Sequence, residues 1–175
     1  MSMEAIRPRQ YDHRSTLTLA SSTVRSFRHV QLENIEEVMS DDELNACFGE
    51  WVEKCLCGES YWFLTEAREY EGMVDKSSMT RFEKVKTMIS KYIKAGSPFE
   101  INIGTRMRDE VMKVGSVEDF EELSHGKKQS IFTPAATEIR RMLGQNVMSG
   151  FERHMEARTM GDYKLGGESG PGTTP

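Results

Sequence analysis

Three cysteines lie close together in the first half of the chain and are the first residues to test for chemistry. Cys55 and Cys57 are separated by one residue, and Cys47 precedes them. Two thiolates at this spacing need further ligands to hold a metal ion, and the histidines are scattered. These histidines are His13, His29, His125 and His154. An odd number of clustered cysteines also argues against a disulfide framework. We therefore expect buried or half-buried thiols and no metal site.

Neighbouring carboxylates are the second set of residues that could do chemistry. The pairs Asp41–Asp42 and Glu121–Glu122 are adjacent in sequence, so in a helix their side chains point to different sides. Such pairs are typical of solvated charges or of charges at the start of a helix. The chain also lacks the common motifs for a nucleophile, a catalytic zinc ion, a phosphate or a dinucleotide. We predict that the protein is not an enzyme and needs no cofactor.

The composition narrows the classes of partner. The chain has 175 residues and a formal net charge of −5, which suits one domain and gives no electrostatic support for nucleic-acid binding. No apolar stretch reaches the roughly 18 residues of a transmembrane helix, and the N-terminus lacks the apolar core of a secretory signal. We therefore expect a cytoplasmic protein.

The two ends of the chain differ in composition from its middle. Residues 1–30 carry five arginines against one glutamate and one aspartate, which predicts a basic, partly flexible leader. A weak contact with a membrane surface, and so a peripheral place at the plasma membrane, stays open for this leader, as does a mitochondrial presequence. Residues 158–175 are rich in glycine and are predicted to be disordered. The folded domain should span residues 31–157.

Apolar residues in the domain recur at helical spacing and predict an all-α fold. The first clear helix should begin at Ser40, which forms a capping box with Glu43, and should end at Gly58. The next, residues 59–71, is apolar over a wide arc and should be the centre of the core. The buried face of the first helix is predicted to contain Leu44, Cys47, Phe48, Trp51, Val52 and Cys55.

Further helix boundaries follow from capping residues and from proline. A third helix should begin at Thr80, and a shorter one should span residues 105–113. Residues 116–130 are charged and indicate an irregular connection with a helical turn or more. Thr133 should cap the following helix and Asn146 the last one. The side chains expected to be buried are Trp51, Phe63, Tyr70, Phe82, Ile89, Ile139 and Phe151.

Three stretches, in this order, resemble the regulator of G-protein signalling (RGS) domain. The first is GESYWFL, from Gly58 to Leu64, followed by AREY. The second is EINIGTRMRDE, which contains Asn102, and the third is FTPAATEIRRMLGQNVMSGF, from Phe132 to Phe151. The resemblance covers roughly residues 30 to 156. It implies a bundle of about nine helices with a central antiparallel four-helix unit.

The resemblance also implies a function. RGS domains are GTPase-activating proteins for heterotrimeric G-protein α subunits (Gα), whose switch regions they stabilise in the transition state. They need no catalytic residue of their own, because Gα carries its arginine in cis. Two alternatives stay open. The chain could be an RGS-homology scaffold or adaptor that binds without accelerating hydrolysis, or an unrelated helical interaction domain.

The residues that the resemblance implies for Gα contact fall in three loops. Ser60 stands where the family usually has asparagine and Gly150 where it has arginine, so we expect weaker or more selective acceleration than is typical. Asn102 should be the most sensitive position, because its amide can both donate and accept a hydrogen bond. The implied contact residues are Leu56, Glu59, Ser60, Asn102, Met142, Asn146, Val147 and Gly150.

Overall fold

The computed structural model describes the backbone of residues 35–165 and the side chains of residues 35–158. The described part is built from helices and contains no β-strand, which confirms the predicted all-α fold. The predicted leader, residues 1–30, lies outside it. The helices are α1 (Ile35–Ser40), α2 (Asp42–Lys54), α3 (Gly58–Glu71), α4 (Ser78–Met88), which a π-helical segment (Ile89–Ile93) extends, α5 (Thr105–Met112), α6 (Val117–Glu122), α7 (His125–Gln129), α8 (Thr133–Asn146) and α9 (Met148–Leu165).

Helix α3 lies at the centre of the core, as its wide apolar arc predicts. It packs against α2, α4 and α8. The ring of Phe63 contacts those of Tyr92 and Phe132 edge-on, at centroid distances of 5.6 and 6.1 Å. Burial of a large side chain of this kind contributes about 1.5–3 kcal/mol. The predicted core residues found buried are Phe63, Tyr70, Phe82, Ile89, Ile139 and Phe151.

Two side chains of the predicted α2 face are less buried than expected. Trp51 is only half-buried, and Cys55 is exposed because it follows the last residue of α2. The predicted end of this helix at Gly58 was also wrong. Gly58 is the first residue of α3, and the chain reverses instead at Leu56, whose φ of 56° is left-handed.

Two helix starts are shifted from the predicted caps. Helix α1 takes up Ser40 as its last residue, so Asp41 caps α2 and accepts hydrogen bonds from two backbone N–H groups. Helix α4 begins at Ser78, and Ser77 caps it by accepting the N–H of Thr80 at 3.1 Å. Asp41 and Ser77 carry side-chain oxygens that accept these bonds as well as Ser40 and Thr80 could, so residue type alone does not fix the start of either helix.

The predicted caps at the last two helices were also wrong. Phe132 is the residue before α8, and the hydroxyl of Thr133 instead donates to the carboxylate of Glu71 at 2.8 Å. Asn146 is the last residue of α8 and caps no helix. Helix α9 reaches Leu165, past the predicted start of the glycine-rich tail at residue 158.

The connection between α5 and α8 is more ordered than its charged sequence indicated. It forms α6 and α7, each capped by a serine, Ser116 and Ser124. Phe120 of α6 is fully buried and lies 5.5 Å from Phe82 of α4, centroid to centroid. One buried ring therefore holds this connection against the bundle.

Candidate functional site

The Leu56 loop, Leu56–Ser60, displays an apolar side chain directly to solvent. Leu56 is 90% exposed. Its N–H donates to the carbonyl of Glu53 at 3.1 Å, and the N–H of Cys57 donates to the carbonyl of Val52 at 3.0 Å. These bonds close the end of α2 and fix Leu56 in a conformation that residues other than glycine seldom adopt. The backbone thus holds this side chain away from the core, where it is available to a partner.

The remaining residues of the Leu56 loop have different environments. Glu59 is half-buried at the start of α3. Ser60 is 2% exposed, so in the free domain its side chain lies beneath the surface and not on it. Ser60 stands three and four residues before the buried Phe63 and Leu64, so it shares the inner face of α3.

Cys57 is the cysteine of this loop whose thiol is half-buried and hydrogen-bonded within the protein. The thiol of Cys57 donates to the carbonyl of Val52 at 3.4 Å. Burial, with smaller contributions from Cys55 and Glu59, raises the pKa of the Cys57 thiol to about 11. Among residues 35–158, no group of three or more His, Cys, Asp or Glu side chains is arranged to hold a metal ion.

The Asn102 loop, Glu100–Gly104, presents a single polar side chain between two buried ones. Ile101 and Ile103 are buried, whereas Asn102 is exposed. The Asn102 amide forms no hydrogen bond with any residue of the described part, so its donor and acceptor groups are both free. The two isoleucines act as anchors, and their alternation points Asn102 outward.

Arg108 of α5 holds the Asn102 loop in place through its guanidinium group. Its guanidinium donates to the carbonyls of Ile93 and Ile101 and pairs with the carboxylate of Glu100 at 2.8 Å. The other oxygen of Glu100 accepts the N–H of Gly96 at 2.7 Å. A planar guanidinium with several donors can hold several acceptors at once, so the loop has little freedom to move.

The α8–α9 corner, Met142–Gly150, contributes fewer accessible side chains. Asn146 is exposed and Met142 is half-buried, whereas Val147 is buried beneath the surface. Trp51 of α2 lies across Gly150.

Contact with Trp51 explains the small residue at position 150. A Cβ built on Gly150 would lie 3.0 Å from Cζ2 of Trp51, a contact so tight that the indole would have to shift by a few tenths of an ångström. The indole also stacks on the ring of His154 at 4.8 Å. A larger residue at position 150 would therefore have to displace the indole.

Two tryptophans connect the regions that carry the candidate residues. Trp62 of α3 lies against Gly58, since a Cβ there would be 3.4 Å from its ring, and it packs edge-on against Phe99 at 5.3 Å. It thus connects the Leu56 loop to the start of the Asn102 loop. Trp51 connects α2 to the α8–α9 corner in the same way. Aromatic packing therefore supports all three regions.

A half-buried carboxylate, Glu66, lies on α3 and joins it to the helix that follows. It accepts hydrogen bonds from Lys91 at 2.6 Å, Tyr92 at 2.7 Å and Lys84 at 2.9 Å. Burial by itself would raise the pKa of Glu66, but the hydrogen bonds from Lys91, Lys84 and Tyr92 outweigh it and lower this pKa to about 2. This cluster could not be predicted from the sequence, because its members come from two separate helical stretches.

A family model described as the regulator of G protein signaling domain matches residues 34–155. A search of curated proteins gave no match. The described residues form no helix with the length and apolar character to cross a membrane.

Proposed function

The chain belongs to the regulator of G-protein signalling family, and on that premise we propose that it accelerates GTP hydrolysis by a heterotrimeric Gα subunit. The general role, regulation of G-protein signalling, comes with the family. The acceleration itself, and the residues that carry it, are our proposal. This function implies a cytoplasmic location, with a weak contact of the basic leader at the plasma membrane.

The exposed amide of Asn102 is the observation that carries this proposal. Its side chain has no partner within the described part of the chain, while its neighbours Ile101 and Ile103 and the Arg108 guanidinium fix its backbone. A side-chain amide held in this way loses little conformational entropy when it binds. It is suited to orient a polar group of the Gα switch region by donating and accepting at once.

The proposed mechanism needs no acid, base or metal ligand from this chain. Gα with its own arginine in cis already contains the groups that react. A rigid partner that binds the switch regions more tightly in the transition state than in the ground state lowers the barrier by that difference. The aromatic supports behind the loops and the Arg108 contacts are the features that give this surface its rigidity.

Single-turnover hydrolysis of GTP by a responsive Gα tests the proposal. Replacement of Asn102 by alanine should cost about 1–3 kcal/mol of transition-state stabilisation, a loss of roughly 5- to 150-fold in the stimulated rate. The matched control is Thr137→Ala, which removes an exposed neutral side chain from α8. An Asn102→Ala domain that stimulates as well as the control would contradict the proposed role of this residue.

The adaptor function is a second candidate, favoured by the environment of Gly150. The family's arginine is absent there, and Trp51 occupies the space that a side chain would need. An adaptor should bind Gα loaded with GDP and aluminium fluoride no more tightly than Gα loaded with GDP. A GTPase-activating protein should prefer the transition-state form, because that preference is the source of its activity.

A further inference from the structure

The π-helical segment, Ile89–Ile93, supports the backbone of the Asn102 loop. The carbonyl of Lys91 accepts the N–H of Phe99 at 3.1 Å, and the carbonyl of Tyr92 accepts the N–H of Ile101 at 3.0 Å. The next carbonyl, that of Ile93, accepts from the guanidinium of Arg108. Carbonyls at the end of a helix lack partners within it, and here the loop and its anchor supply them.

The side chains of the same segment are fixed to α3 by Glu66. The carboxylate oxygen Oε1 accepts both the hydroxyl of Tyr92 and the ammonium of Lys91. Lys91 also lies 5.4 Å from the ring centroid of Phe99, the residue just before the loop. Charge-assisted bonds of this kind are shorter and stronger than neutral ones, so the position of the segment depends on Glu66.

We infer that Glu66, acting through Tyr92 and Lys91, is a positioning residue for the Asn102 loop, and that it sets the maximal rate at which the domain stimulates GTP hydrolysis. Only the effect on the maximal rate of GTP hydrolysis rests on the proposed function. The positioning of the Asn102 loop by Glu66 can be measured without Gα.

The variant Tyr92→Phe tests this inference against a matched control, Tyr70→Phe. Both rings are fully buried, and each hydroxyl donates one hydrogen bond, that of Tyr92 to Glu66 and that of Tyr70 to the carbonyl of Lys128. Only Tyr92 lies in the segment that binds the loop. Each variant removes one buried hydroxyl, so the comparison separates an effect on the loop from the general effect of losing a buried hydrogen bond.

The first measurement is hydrogen exchange at the amide of Ile101, followed by nuclear magnetic resonance in the full chain. We expect exchange about 10-fold faster in Tyr92→Phe than in Tyr70→Phe, because this amide bonds to the carbonyl of Tyr92. Glu66→Gln should have the same effect by weakening the acceptor. Equal protection of Ile101 in both tyrosine variants would overturn the inference.

The second measurement is the stimulated rate of a responsive Gα at increasing concentrations of the domain. We expect the plateau rate to fall by about 10-fold in Tyr92→Phe and to stay unchanged in Tyr70→Phe. A displaced Asn102 loop would stabilise the transition state of Gα less well. Faster exchange with an unchanged plateau would overturn the claim that loop position sets the rate. If the intact domain stimulates no Gα, the proposed function fails, and the exchange experiment still decides the positioning role.

Discussion

Leu56 and Asn102 are both exposed, and each is held outward by a different feature of the backbone. Leu56 is turned outward by a left-handed backbone at the end of α2. Asn102 is turned outward because the residues on both sides of it are buried. In both cases the side chain is already held in place in the free domain, so its binding to a partner costs little further conformational entropy.

Leu56→Ala should weaken the binding of transition-state-loaded Gα by about 1–3 kcal/mol, because an exposed apolar side chain that enters a partner's surface gains by desolvation. The matched control is Val74→Ala, which shortens another exposed apolar side chain, in the connection between α3 and α4. Dissociation constants from calorimetry at one salt concentration would decide the matter. Equal affinities for the two variants would remove Leu56 from the contact surface.

Gly150→Ala should lower the free energy of unfolding by about 1–3 kcal/mol, since the new methyl group would overlap the indole of Trp51. Gly144→Ala is the matched control, because a Cβ there meets no atom within 4 Å. In helix α8 that control should be stabilising by about 0.5–1 kcal/mol. Urea unfolding of both variants gives the comparison, and an unaltered Gly150→Ala would show that the indole moves freely.

At the scale of elements, the contact between α3 and the α4–π helix decides the geometry of the Asn102 loop. It combines ring packing between Phe63 and Tyr92 with the hydrogen bonds of Glu66. The first part is apolar and independent of pH. The second depends on the charge of one carboxylate, so the two parts can be separated by titration.

The carboxylate of Glu66 should make the free energy of unfolding depend on pH in the acidic range. Its pKa lies near 2 in the folded chain against an ordinary 4.5, so its contribution is present above pH 4.5 and is lost as the pH falls towards 2. Glu66→Gln should therefore lose up to about 3 kcal/mol at neutral pH and show a flatter pH dependence between these limits.

Glu69→Gln is the matched control for this titration, because Glu69 is 61% exposed and, among the residues that the structure describes, pairs only with Lys84, at 3.4 Å. An exposed pair of this kind contributes less than about 1 kcal/mol. Chemical unfolding at several pH values would test both variants. A Glu66→Gln protein with the pH dependence of the parent chain would contradict the assignment.

At the scale of the whole molecule, local patterns predicted the core well and the surface less well. Helical periodicity identified Phe63 and Tyr70, because the spacing of a buried stripe is written in neighbouring residues. Glu66 escaped notice, since Lys84 and Lys91 lie 18 and 25 residues away and meet it only through tertiary packing.

The connection between α5 and α8 shows the same limit for short helices. Helices α6 and α7 have too few residues to be stable alone, so their sequence carries little helical signal. Packing of Phe120 on the bundle stabilises α6. Ser60 is different, because its spacing of three and four residues from Phe63 and Leu64 places it on the buried face of α3, which the helical period could have shown.

Removal of residues 1–30 should leave the folded domain intact. The match to the family begins at residue 34, after the basic leader. A chain of residues 31–175 should therefore melt within about 2 °C of the full chain, which corresponds to less than about 1 kcal/mol for a domain of this size. Scanning calorimetry of the two chains gives the comparison. A fall of 10 °C or more, on the order of several kcal/mol, would show that the leader supplies part of the fold.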